Sequence, residues 1–181
     1  MTTRDQIYPR TIACLLTVLA ALTSAPAAYA QTSNSDATAV TIGPMSVVKV
    51  ADLNFGNLVA GTSAGSMTVN TANGNVNVTG GVVRAGGGTS RANFIIYGPQ
   101  NQIVRIRIPS TILINRTGGG ANMRIDRMSV GNANRSLGTN VVGRLSRTGV
   151  FDLTVGGRLR VNANQQEGGY TGTFDMTVDY F

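Results

Sequence analysis

Apolar and polar residues alternate with period two through much of this chain. The C-terminus is the clearest stretch. Tyr170, Gly172, Phe174, Met176, Val178 and Tyr180 share one parity, and Thr171, Thr173, Asp175, Thr177 and Asp179 share the other. A β-strand places successive side chains on opposite faces, so the first set predicts a buried face and the second a wet one. Val104, Ile106 and Ile108 alternate with Arg105 and Arg107 in the same way. So do Phe151, Leu153 and Val155 with Asp152 and Thr154, and Leu159, Val161 and Ala163 with Arg158, Arg160 and Asn162. Shorter examples are Met123 and Ile125 around Arg124, Val76 and Val78 around Asn77, and Phe94 and Ile96. Helical periodicity is nearly absent.

Glycine punctuates these stretches. All 23 glycines fall after residue 30, and Gly80-Gly81, Gly86-Gly87-Gly88, Gly118-Gly119-Gly120, Gly156-Gly157 and Gly168-Gly169 separate or interrupt strands. Short strands recurring at this spacing predict an all-β fold, an antiparallel Ig-like sandwich. A phosphate-binding loop needs a helix after its glycines, and neither triplet is followed by a helical pattern or by Gly-Lys-Ser/Thr. Both triplets are therefore read as turns.

The N-terminus differs in composition. Arg4 and Arg10 precede an apolar run over 11–25, Pro26 breaks it, and Ala28-Tyr29-Ala30 supplies a small-x-small cleavage pattern. Residues 1–30 are read as a signal peptide, 31–44 as an N-terminal extension, and 45–181 as the sandwich domain. The chain is expected to be exported, passing through a periplasm to the cell surface or beyond.

Composition narrows the chemistry. The chain has no His and one Cys, Cys14, which falls inside the signal segment. No Ser-His or Cys-His nucleophilic pair and no imidazole metal ligand can form. Asp36, Asp52, Asp126, Asp152, Glu167, Asp175 and Asp179 are widely spread, and nothing in their spacing suggests a paired-carboxylate cleft or a calcium loop. The expectation is a protein without catalysis, metal or cofactor. Basic residues outnumber acidic ones, 15 to 8, and all but one of those after residue 30 are arginines, scattered singly and mostly on outward strand positions. That surface favours anionic partners such as polysaccharide. The aromatics are not interleaved with arginines, which argues against reading nucleic acid.

Three stretches together resemble a known family: Ala51-Asp52-Leu53-Asn54-Phe55-Gly56-Asn57-Leu58, residues 151–161 (FDLTVGGRLRV) and residues 167–180 (EGGYTGTFDMTVDY). The ensemble is similar to a bacterial family of secreted domains of unknown function, related in pattern to fimbrial major subunits and spore-coat-U-like proteins. The end of the chain also resembles chaperone–usher pilins. Those close on an alternating strand with a penultimate Tyr, here Tyr180, and a Gly fourteen places from the end, here Gly168. The pilin disulfide is missing.

The resemblance implies a structural subunit of a surface appendage that polymerises by β-strand addition, with itself or related subunits, aided by a periplasmic chaperone and an outer-membrane usher. It implies that Tyr170, Phe174, Met176, Val178 and Tyr180 border an open groove. Val40 and Ile42, alternating with Ala39 and Thr41 ahead of Gly43-Pro44, would be donor anchors. Residues 38–50 can also be read as an ordinary first strand paired within their own domain. The alternative function is a monomeric module that binds anionic polysaccharide through its arginine face.

Overall fold

A computed structural model describes Thr41 and residues 43–181. The signal segment and the anchors Val40 and Ile42 lie outside the described residues. Within them the chain is all β. Twelve strands form: β1 (Ser46–Ala51), β2 (Leu58–Val69), β3 (Val76–Arg84), β4 (Ala92–Tyr97), β5 (Ile103–Arg107), β6 (Ile112–Arg116), β7 (Asn122–Asn132), β8 (Arg135–Gly138), β9 (Asn140–Arg144), β10 (Val150–Val161), β11 (Tyr170–Thr171) and β12 (Thr177–Tyr180). Every pairing among them is antiparallel. A nine-stranded sheet and a three-stranded sheet, β12-β5-β9, make a sandwich-like arrangement.

β10 is the trunk of the large sheet. Its first half pairs with β4, its second half with β2, and its other edge with β7. The path then continues through β6 to β11 on one side and through β4 to β1 on the other. Register carries the period-two pattern across strands. One row of facing residues runs Val78, Met67, Leu159, Ile125, Ile112 from β3 to β6. The next row runs Thr79, Ser66, Arg160, Arg124, Leu113. Adjacent rows point to opposite faces, so the first row enters the core and the second lies on the other face, where all but Ser66 are exposed.

Most alternations read from the sequence hold. Val104, Ile106, Ile108, Met123, Ile125, Leu153, Val155, Leu159 and Val161 are all buried. Ala163 departs from its pattern: β10 ends at Val161, and Ala163 sits exposed in a turn. The glycine triplet at 118–120 is a turn, with all three residues at positive φ between β6 and β7. β1 pairs with β4 as an ordinary edge strand, and Val47, Val48 and Val50 on it are exposed. Lys49 and a register shift between Lys49 and Ala51 blunt that edge, two devices that discourage unwanted pairing.

The C-terminal stretch is the main correction. Its alternation predicts a single strand from Tyr170 to Tyr180, yet the structure divides it. β11 pairs with β6 in the large sheet, β12 pairs with β5 in the small sheet, and residues 172–176 between them carry no strand pairing. Parity survives the break. Tyr170, Phe174, Met176, Val178 and Tyr180 are half-buried, while Thr171, Thr173, Asp175, Thr177 and Asp179 are exposed. The side chains keep alternating while the chain leaves one sheet for the other, which is why local alternation does not reveal the break.

Candidate functional site

The second layer is incomplete. A cleft of about 940 Å³ opens over the large sheet, and none of its lining residues comes from β5, β9 or β12. Its floor is the inward face of four strands: Ala92 and Phe94 on β4, Ile112 and Ile114 on β6, Met123 and Ile125 on β7, Leu159 and Val161 on β10. Strand register brings these residues together from distant parts of the chain.

Two irregular segments form the walls. The first is the run from Leu53 to Ala60. Asn54 exchanges two backbone hydrogen bonds with Ser90 (2.9 and 3.0 Å), and the Asn57 N–H donates to the Gly86 carbonyl at 2.9 Å. The Asn54 side chain accepts from the Gly56 N–H at 2.8 Å, closing a local turn around Gly56. Phe55 is thereby held buried in the core cluster. The second wall is the run from Asn164 to Phe174. The Tyr170 hydroxyl donates to the Gln166 carbonyl at 2.6 Å and accepts from Gln165 Nε2 at 2.9 Å, and that amide also donates to the Asn122 carbonyl. The Arg116 guanidinium donates to the Glu167 carbonyl. Gly168 sits at φ +137 against the Arg116 side chain, leaving no room for a Cβ.

Phe174 closes the second wall. Its ring meets Phe94 edge-on, with centroids 6.2 Å apart and planes at 76°, a favoured aromatic geometry. At the rim, Lys49 and Asp52 form an exposed ion pair at 2.8 Å, which contributes little. The cleft thus has an apolar floor and walls rich in polar side chains, among them Asn54, Asn57, Asn164, Gln165, Gln166 and Glu167. Among the described residues no cluster of His, Cys, Asp and Glu could hold a metal ion.

The structure brings together part of the predicted set. Gly168, Tyr170 and Phe174 line the cleft. Met176, Val178 and Tyr180 do not; they pack against the core, the last two from β12 in the small sheet. Tyr180 instead donates its hydroxyl proton to the Gly43 carbonyl at 2.7 Å, tying the chain's end to the segment before β1. The grouping of Phe174, Met176, Val178 and Tyr180 on one groove is therefore divided, because the chain changes sheets between them.

A family model described as "Domain of unknown function (DUF4402)" matches residues 45–180. The chain belongs to that family. No curated protein and no solved structure matches it. The DUF4402 region begins one residue before β1 and ends on the last residue of β12, so it contains both sheets and the whole cleft.

Sequence reasoning passes over several cleft residues in the DUF4402 domain. Ile112-Leu113-Ile114 is a continuous apolar run whose middle residue turns out exposed, so period two gives no face for it. Gln165 and Gln166 resemble any polar loop until Tyr170 folds onto them. Leu53, Phe55 and Leu58 belong to a stretch that carries the family resemblance, and that was the available signal.

Proposed function

We propose that this protein is an exported structural subunit of a pilus-like surface appendage, and that its cleft receives residues 37–42 of a neighbouring copy by strand addition. The observation that carries the reading is the pairing of two unsatisfied features. An apolar floor is left without a covering strand, and residues 172–176 beside it carry no strand pairing while their side chains keep alternating between half-buried and exposed from Thr173 on. An added strand that paired with residues 172–176 would satisfy their backbone groups and lay its alternate side chains on the floor. Val40 and Ile42 have the right spacing for two anchors. Each buried side chain contributes about 1.5–3 kcal/mol, and each ladder hydrogen bond about 1 kcal/mol net.

The direction of the chain favours a neighbour over self-filling. Residues 31–42 lead into Gly43, which lies beside Pro99 and accepts the Tyr180 hydrogen bond. The cleft lining starts at Lys49, toward the other end of β1. At about 3.3 Å per residue, β1 separates the two points by most of its length. Residues 37–42 join the domain at Gly43, at the end of β1 away from the cleft, so filling their own cleft would require the chain to double back along β1. The likeness of the chain's end to chaperone–usher pilins supports the same reading, with a periplasmic chaperone holding the cleft in transit and an usher delivering the subunit.

The test is assembly of the exported chain. Secreted protein should migrate as a ladder of oligomers in unheated SDS gels, and both deletion of residues 31–42 and Ile42→Asp should reduce the ladder to monomer. A wild-type chain that stays monomeric at all concentrations, or a deletion that polymerises as well as the parent, overturns the reading.

A further inference from the structure

The face of the large sheet opposite the core carries a second feature. Asp126 on β7 lies directly across from Arg158 on β10 and one step from Arg160. It accepts from Arg158 Nε at 2.7 Å and Nη2 at 2.9 Å, and from Arg160 Nε at 2.9 Å. One carboxylate thus serves two guanidinium groups. The next row places Arg124 directly opposite Arg160, and Arg124 makes no ion pair among the described residues. Like charges facing each other across a strand pair are unfavourable. The stripe therefore holds three arginines and one carboxylate, and that carboxylate pairs with only two of them.

Beside the Arg124–Arg160 pair is an open hollow of about 470 Å³, lined also by Gly65, Ser66, Thr79, Gly80 and Asn162. The Ser66 and Thr79 hydroxyls bond each other at 3.0 Å. Only one of the two protons is used in that bond, so the pair keeps one donor for a ligand. The hollow thus offers two exposed guanidinium groups, a hydroxyl donor and an amide side chain. Asp126 shows what fits between neighbouring arginines on this face: a carboxylate, held by fork-like N–H donors.

We propose that this hollow binds a uronate carboxylate of an acidic polysaccharide, with Arg124 and Arg160 on the carboxylate and Thr79 and Asn162 on sugar hydroxyls. The unpaired guanidinium of Arg124 beside Arg160 selects an anion, the planar N–H forks of the two arginines suit a carboxylate, and the open form of the hollow lets a polymer chain run across it. The site lies on the far side of the sheet from the cleft, so it is independent of strand addition.

The experiment is affinity electrophoresis of the exported chain through gels containing polygalacturonate, dextran sulfate or neutral dextran. Retardation is expected in polygalacturonate, falling as salt rises, with none in neutral dextran. Arg124→Gln should weaken it about tenfold and Thr79→Val severalfold, with unchanged thermal midpoints, whereas Arg144→Gln on β9 should leave it intact. The monomeric Ile42→Asp variant should bind as well as the parent, which separates this site from the assembly reading. Equal losses from Arg124→Gln and Arg144→Gln would show diffuse charge and overturn the proposal. So would retardation in dextran sulfate alone, or no effect of Thr79→Val.

Discussion

Asp126 answers to two guanidinium groups at once, and that fixes its titration. The hydrogen bond from Arg158, aided by the bond from Arg160 and by both positive charges, holds its carboxyl well below the usual carboxylate range against the opposing effect of burial. A depressed carboxyl stabilises the fold fully above the unfolded value of about 4 and progressively less as pH falls below it. Asp126→Asn should lower the urea midpoint at pH 7, where Arg158 loses its partner, and should flatten the decline in stability between about pH 4 and pH 2. Urea titrations of both proteins across that range measure this. An unchanged acid limb would mean that other carboxylates set it. Gly149 is a second constrained residue. It sits at φ +74, and a Cβ there would strike the Gly98 carbonyl. The pair is already joined by the Gly98 N–H donating to the Gly149 carbonyl at 2.9 Å. Gly149→Ala should cost at least about 1–2 kcal/mol from the left-handed backbone alone, read as a lower denaturation midpoint.

At the level of elements, the C-terminal segment decides what the cleft can do. β11 and β12 are short because residues 172–176 between them have no strand partner. Amide exchange gives this physical content, since unpaired backbone exchanges fast and laddered backbone slowly. The amides of residues 172–176 should exchange rapidly in the monomeric deletion variant and become protected in assembled protein, while those of β10 stay protected in both. Protection of residues 172–176 in the monomer would show a partner within the same chain. The floor makes a separate prediction. Leu159 is buried at the centre of the inward row from Val78 to Ile112, and Leu159→Ala should cost about 2–5 kcal/mol, measured by urea denaturation.

For the whole molecule, an occupant of the cleft, as proposed above, would add to stability. Nothing covalent helps, because Cys14, the only cysteine, precedes the domain. A segment that binds the folded state and not the unfolded one raises stability by mass action. A synthetic peptide of residues 31–44 added to the chain lacking residues 31–42 should therefore raise its melting temperature in a concentration-dependent way, and the same peptide with Ile42→Asp should not. A calorimetric scan across peptide concentrations decides it. A flat response from the wild-type peptide would show that the cleft takes a different occupant.

What could be read from the chain follows from the range of each rule. The faces of β5, β7 and β10 were legible because period two is a property of neighbouring residues: Val104 beside Arg105 and Leu159 beside Arg160 declare their sides without reference to anything distant. The glycine triplet at 118–120 was legible as a turn for the same reason. Ile112 to Ile114 was not, since three apolar residues in a row do not say which of them faces in. The unpaired gap at 172–176 was invisible because its side chains keep alternating when its backbone has no partner. The cleft was invisible too: Phe94, Ile114, Met123 and Leu159 meet only through strand register, and register is set by pairing between segments tens of residues apart. The sequence by itself thus determined that the domain is β and which faces of β5, β7 and β10 would be buried. The tertiary structure alone decided which strands share a sheet, where the second layer stops short, and that Tyr170 and Tyr180 end on different sheets, because those outcomes depend on backbone hydrogen bonds between partners that no local pattern names.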